Sequence, residues 1–120
     1  MITPKEPRGP VKPTRATLAL LFARSGGVCE FCGVQPATEV HHRKFRSRGG
    51  GHNIENLLHL DGWGNHTWCH GLAHSANPPA GLAVHAWEDE RLIPVADSAG
   101  VLWWLTRDGR RVLVDPDPEF

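Results

Sequence analysis

Two spacings constrain this chain more than any other feature: Cys29-Glu30-Phe31-Cys32, and His66-Thr67-Trp68-Cys69 running straight into His70 and His74. Two ligands separated by two residues let one tight turn offer both to a tetrahedral cation. Residues 33–65 lie between the pairs, enough chain for a hairpin. Cys29, Cys32, His66 and Cys69 are therefore expected to form a Cys3His structural zinc site, with His59 and Asp61 near enough to replace His66. Such a staple suits 120 residues that are 40% hydrophobic, because a small domain gains stability when metal binding is coupled to folding. An odd cysteine count, with two cysteines this close, argues against a disulfide scaffold. No stretch reaches the roughly 18 apolar residues of a membrane span, and the proline- and charge-rich start lacks a signal peptide's apolar run. A cytoplasmic protein with no membrane partner is expected.

The remaining chain divides into three parts. Residues 1–13 carry four prolines and three cationic residues and are expected to be a flexible basic arm. Thr14 is a candidate N-cap for a helix over about 15–24, stopped by Gly26-Gly27. The knuckle, the β-prone Thr38–Phe45, a glycine loop at 49–51 and Asn53–Leu60 predict a hairpin, and His70–His74 a short helix ended by Asn77-Pro78-Pro79. Residues 14–77 thus form an expected core. Residues 78–120 hold short β-type runs, "LAVHAW", "LIPVA", "VLWWLT" and "RRVLVD", expected to form a β-ribbon packed on that core. The predicted class is α+β.

Formal charge is zero, yet it is unevenly spread. Residues 1–48 hold nine Lys and Arg against three Asp and Glu, and residues 49–120 hold four against ten. A basic half beside an acidic one suits an anionic polymer such as nucleic acid. The cations concentrate at Arg43, Lys44, Arg46 and Arg48, directly after His41 and His42.

His70 and His74 stand four apart and share one side of a helix, where they can grip a divalent ion. "HGLAH" is not HExxH, so a zincin's glutamate is missing and a peptidase lacks its base. Adjacent strand residues face opposite ways. His41 and His42 should therefore divide the labour, one ligating the ion and the other facing a substrate water.

The ordered set "CxxC, VHHRKFRSRGG, NIENLLHL, CHxxxH", over roughly residues 29–74, resembles the HNH endonucleases, the ββα-metal or His-Me finger nucleases in their zinc-stapled form. The arm and β tail are similar to those of small HNH proteins of actinobacteria and their phages. The resemblance implies that His41, His70 and His74 hold the catalytic ion, His42 is the general base, and Asn56 braces the hairpin loop and orients the base. It also implies hydrolysis of DNA phosphodiester bonds with low sequence specificity, in a bacterium or a phage-infected host. Two departures stand out. The cysteine that members with four zinc cysteines carry after the "NL" segment is absent, with His66 the nearest replacement, and Phe45 occupies a common proline position.

On this reading His42 is neutral at pH 7 and accepts a water proton, while Arg43, Lys44, Arg46 and Arg48 hold flanking phosphates. Three neutral imidazoles favour Zn2+, Ni2+, Co2+ or Mn2+ over Mg2+. His52, His59 and His85 are assigned to surface or structural duty, Trp63 to plugging its glycine loop, and Trp87, Trp103 and Trp104 to packing. The rival reading is a non-catalytic zinc module of a phage or mobile element that binds DNA or a protein, for instance in packaging. Such a module has no use for His42.

Overall fold

The structure, a computed structural model, describes residues 11–115, so most of the expected arm lies outside the described residues. Helix α1 spans Arg15–Ser25. The Thr14 hydroxyl accepts from the Thr17 N–H at its start, and Gly26, at φ 64°, ends it by donating its N–H to the Phe22 carbonyl. These are the expected bounds to within a residue.

Strands β1 (Glu39–His42) and β2 (Leu57–Leu60) form an antiparallel pair with His41 opposite Leu58 and His42 opposite Leu57. Every side chain of β2 is buried, and alternation sends them to two different places. Leu57 joins Leu21 and Ile54 beneath α1, while Leu58 and Leu60 enter the main core with Cys29, Cys69, Ala73, Leu82, Val95 and Leu105. His59 points the same way as Leu57, where its Nδ1 meets the Ser25 hydroxyl at 2.7 Å and its ring meets Phe22 edge-on, the structural duty expected of it. Arg24 joins α1 to both neighbours: its guanidinium pairs with Glu30 at 2.7 Å and donates to the carbonyls of Ile54 and Leu57.

Helix α2 (Trp68–Ala73) follows β2 after a short turn. The C-terminal portion folds as a three-stranded antiparallel sheet in the order β3 (Val95–Ala96), β4 (Leu102–Leu105), β5 (Arg111–Leu113). It docks through Val95 and Leu105, so the tail packs on the hairpin. "LAVHAW" forms no strand, because only Val84 pairs, in a single parallel bridge with Lys44. The molecule is α+β with two sheets, and no helix among the described residues is long and apolar enough to cross a membrane.

Candidate metal centres

The knuckle is built by the backbone. Cys29 donates its N–H to the Gln35 carbonyl and Gly33 to the Cys29 carbonyl, which closes the turn. The N–H groups of Phe31 and Gln35 then point at the sulfurs of Cys29 and Cys32, at 3.4 and 3.5 Å. Cys69 arrives from α2 and Asp61 from the end of β2, and one ligand atom from each of the four residues lies within 4.8 Å of the others. His66 is not part of this group. It is exposed on a 3-10 turn whose backbone packs beneath Gly71, and Asp61 takes the fourth position because it follows β2 directly and stays buried.

Three thiols and a carboxylate in a hydrophobic core are a poor arrangement for protons. Burial, then Asp61, then Cys29 push the Cys69 thiol well above its ordinary range, and burial also raises Cys29. Burial pushes Cys32 up as well, but the N–H groups of Gln35 and Val34 together with the Cys29 and Cys69 side chains outweigh it and leave that thiol lowered. A divalent cation reverses this balance, because it favours thiolate over thiol and neutralises a carboxylate. The donor set fits a tetrahedral metal.

The second cluster joins β1 to α2. The rings of His41, His70 and His74 form a nearly equilateral triangle, with centroids 5.0, 5.1 and 5.0 Å apart. Their tautomers follow from their other contacts. His41 Nε2 lies 2.6 Å from the Leu82 carbonyl, which can only accept, so Nε2 carries the proton and Nδ1 is a bare lone pair. That Nδ1 is buried without a hydrogen-bond partner among the described residues. His70 Nδ1 donates to Glu39 Oε1 at 2.8 Å, which leaves Nε2 for an ion. His74 stacks on Phe45 at 4.3 Å. Burial lowers His41 to about 3 and, ahead of His70, His66 and Arg48, lowers His74, so both are neutral donors at pH 7. An orphaned buried nitrogen facing two further imidazoles fits a divalent cation.

One short helix thus serves both clusters. Asp61 ties its start, accepting from the Cys69 N–H through its carboxylate and from the His70 N–H through its carbonyl. Trp68 sits at φ 50°, unusual for a bulky residue, where the preceding turn enters α2. From there Cys69 joins the thiols while His70 joins the imidazoles.

His42 lies half-buried on the opposite face of β1 from His41, as alternation requires. It still shares a cleft of about 430 Å³ with His70, His74, Phe45, Arg46 and Ser47, because β1 is an edge strand and the cleft wraps that edge. Its Nε2 is 2.9 Å from Nδ1 of His52. Burial first, then His52, Arg46 and His70, lower it to about 4. Asn56 does not touch this ring. Its fully buried amide accepts from the Lys44 N–H at 2.7 Å and donates to the carbonyls of Lys44 and Gly51, clamping the loop that carries His52.

The four cations separate. Arg43 is 0% exposed, and its guanidinium donates to the carbonyls of Gly81, Glu55, Glu90 and Ile93. Its assignment to phosphates is therefore corrected: it binds three chain segments together. Lys44 lies 3.7 Å from Glu90. Arg46 lines the cleft and donates to the Gly50 carbonyl, and exposed Arg48 lies 4.3 Å over the Phe45 ring. Trp63 does not plug its loop, being 73% exposed.

Sequence reasoning missed His52 and Glu39. Glu39 carried a readable signal, since it precedes His41 by two residues and so shares its face of β1. His52 sits in a loop with no periodicity to read. No family model, curated protein or solved structure matches the chain.

Proposed function

We propose that this protein is a metal-dependent endonuclease of the HNH type, hydrolysing DNA phosphodiester bonds in the cleft beside β1. The observation that carries the proposal is the bare, buried Nδ1 of His41 facing His70 and His74, with a neutral His42 opening into the same cleft. The path β1, β2, α2, with ligands from the first strand and the helix, supports a ββα-metal core. Zinc is proposed for Cys29, Cys32, Asp61 and Cys69.

His41, His70 and His74 would hold a divalent ion, whose chemistry when bound would be to offset the negative charge that builds on a phosphoryl group under attack. The chain's own residues do the rest. In the tautomer with its proton on Nε2, directed at His52 Nδ1 2.9 Å away, His42 has its Nδ1 to take the proton of an attacking water. Asn56 fixes the loop on which His52 sits, so it positions the base through a neighbour. Arg46, at the cleft wall, and exposed Arg48 supply cations for the flanking phosphates. Glu39 orients His70 and makes it a better donor.

The test is cleavage of supercoiled plasmid in Mn2+, Ni2+ or Mg2+, comparing the protein with His42→Ala. The expected loss is about a hundred- to ten-thousandfold in rate. Equal cleavage by both proteins removes His42 as base, and no cleavage by either supports a non-catalytic zinc module.

A further inference from the structure

We infer that the outer edge of β5 pairs with β5 of a second copy of this chain about a two-fold axis through Leu113. The hydrogen-bonding phase of the sheet is the first argument. Arg110 and Val114 face β4, since Thr106 donates to the Arg110 carbonyl and Val114 donates to the Leu102 carbonyl. In an antiparallel ladder such residues alternate with others whose N–H and C=O point the opposite way. Arg111 and Leu113 therefore direct their backbone groups away from β4, and β5 is last in the sheet order. No strand among the described residues pairs with that side of β5, and such an edge is a template for another strand.

The side chains make that strand a copy of itself. Rotation about Leu113 sets Leu113 against Leu113, Val112 against Val114, and Arg111 against Asp115 twice over. Every opposed pair is then apolar with apolar or cation with anion, whereas a shift of register by two residues breaks both charge pairs. Such a contact is isologous and closes at two chains. It also explains the apolar surface here: Leu113 is 56% exposed, and it borders a groove of about 420 Å³ formed with Val101, Leu102 and Val114 that has no polar side chain but Asp115.

Sedimentation of the zinc-loaded full chain over a concentration series tests the pairing. A monomer–dimer equilibrium is expected. Arg111→Asp should weaken the dimer on the order of tenfold, because symmetry replaces two attractive pairs with two repulsive ones, and adding Asp115→Arg should restore it. Leu113→Cys provides an independent reading. Directly opposed residues of a hydrogen-bonded pair lie about 5.5 Å apart at Cα, within disulfide reach, so this variant should oxidise to a covalent dimer that the parent chain does not form. Arg111 lies 4.3 Å over the Trp103 ring, so Arg111→Asp is compared with Arg111→Gln, which removes that contact without reversing the charge and should weaken the dimer less. A monomer at every concentration overturns the inference, and so does a dimer that ignores both the charge reversal and the cysteine.

Discussion

At the scale of single residues, neighbours in sequence do unrelated work. His41, His42 and Arg43 are consecutive, and they are a candidate metal donor, a candidate base and a structural clamp. The clamp makes a sharp prediction when set against Arg46. Arg43→Met removes a buried guanidinium and strands carbonyls from three segments, so it should cost more than about 3 kcal/mol or abolish folding. Arg46→Ala should leave the melting temperature nearly unchanged and weaken DNA binding, reducing the slope of log affinity against log salt by about one. Filter binding over a salt series and thermal melts measure both, and an unchanged melt for Arg43→Met would remove its clamping role. His52 yields a second prediction. His52→Gln should slow cleavage on the order of tenfold or more, as loss of a supporting partner does. Because His52 is among the groups holding His42 low, its removal should also move the acid limb of the pH–rate profile to higher pH. A slower enzyme with an unshifted profile would mean that His52 only packs.

At the scale of elements, α2 is the joint on which both candidate metal centres depend. Six residues long, it carries Cys69 to one cluster and His70, with His74 just beyond it, to the other. Its approach to the preceding turn is close: a Cβ on Gly71 would lie 2.7 Å from the His66 carbonyl carbon. That atom is backbone and cannot swing aside. Gly71→Ala should therefore push α2 outward, cost about 1–3 kcal/mol, and weaken the metal at both clusters together. Metal content by mass spectrometry after mild chelation is the readout, and loss at one cluster alone would show that the helix does not couple them. Elements were also where the sequence was most legible. Capping residues and glycines marked α1, and the alternation of β1 separated His41 from His42 without any structure. The fourth position of the thiol cluster falls to Asp61, which the sequence offered only as a replacement for His66, because spacing counts residues while burial decides which of them turns inward. Arg43 was misread for a related reason: its partners at Gly81, Glu90 and Ile93 come from segments whose approach no local pattern announces.

At the scale of the whole molecule, the buried histidines and thiols make stability a function of both pH and metal. His41 and His42 have their pKa values lowered by folding to about 3 and about 4, chiefly by burial, against about 6.5 in an unfolded chain. Above about 6.5 both states hold these rings neutral and pH has no leverage through them. Below it the unfolded chain binds protons that the native chain refuses, so stability falls as pH drops from about 6.5 to about 4. Metal adds a second slope of the same sign, since the thiol ligands must lose protons and the imidazoles stay neutral for an ion to bind. Thermal melts in chelator should thus show a plateau from pH 8 to 7 and a decline from about 6.5 downward, whereas protein loaded with zinc should already lose stability between pH 8 and 7 and decline more steeply below. The loaded protein should also melt higher at pH 7, by a margin that vanishes in acid as the ions leave. Cys29→Ala is the control that assigns the margin: it should lose the thiol-bound zinc and, with it, most of the margin over the chelated protein. If the chelated protein instead melts at one temperature from pH 7 to 4, the histidines titrate alike in both states, and the buried arrangement of His41 and His42 is wrong.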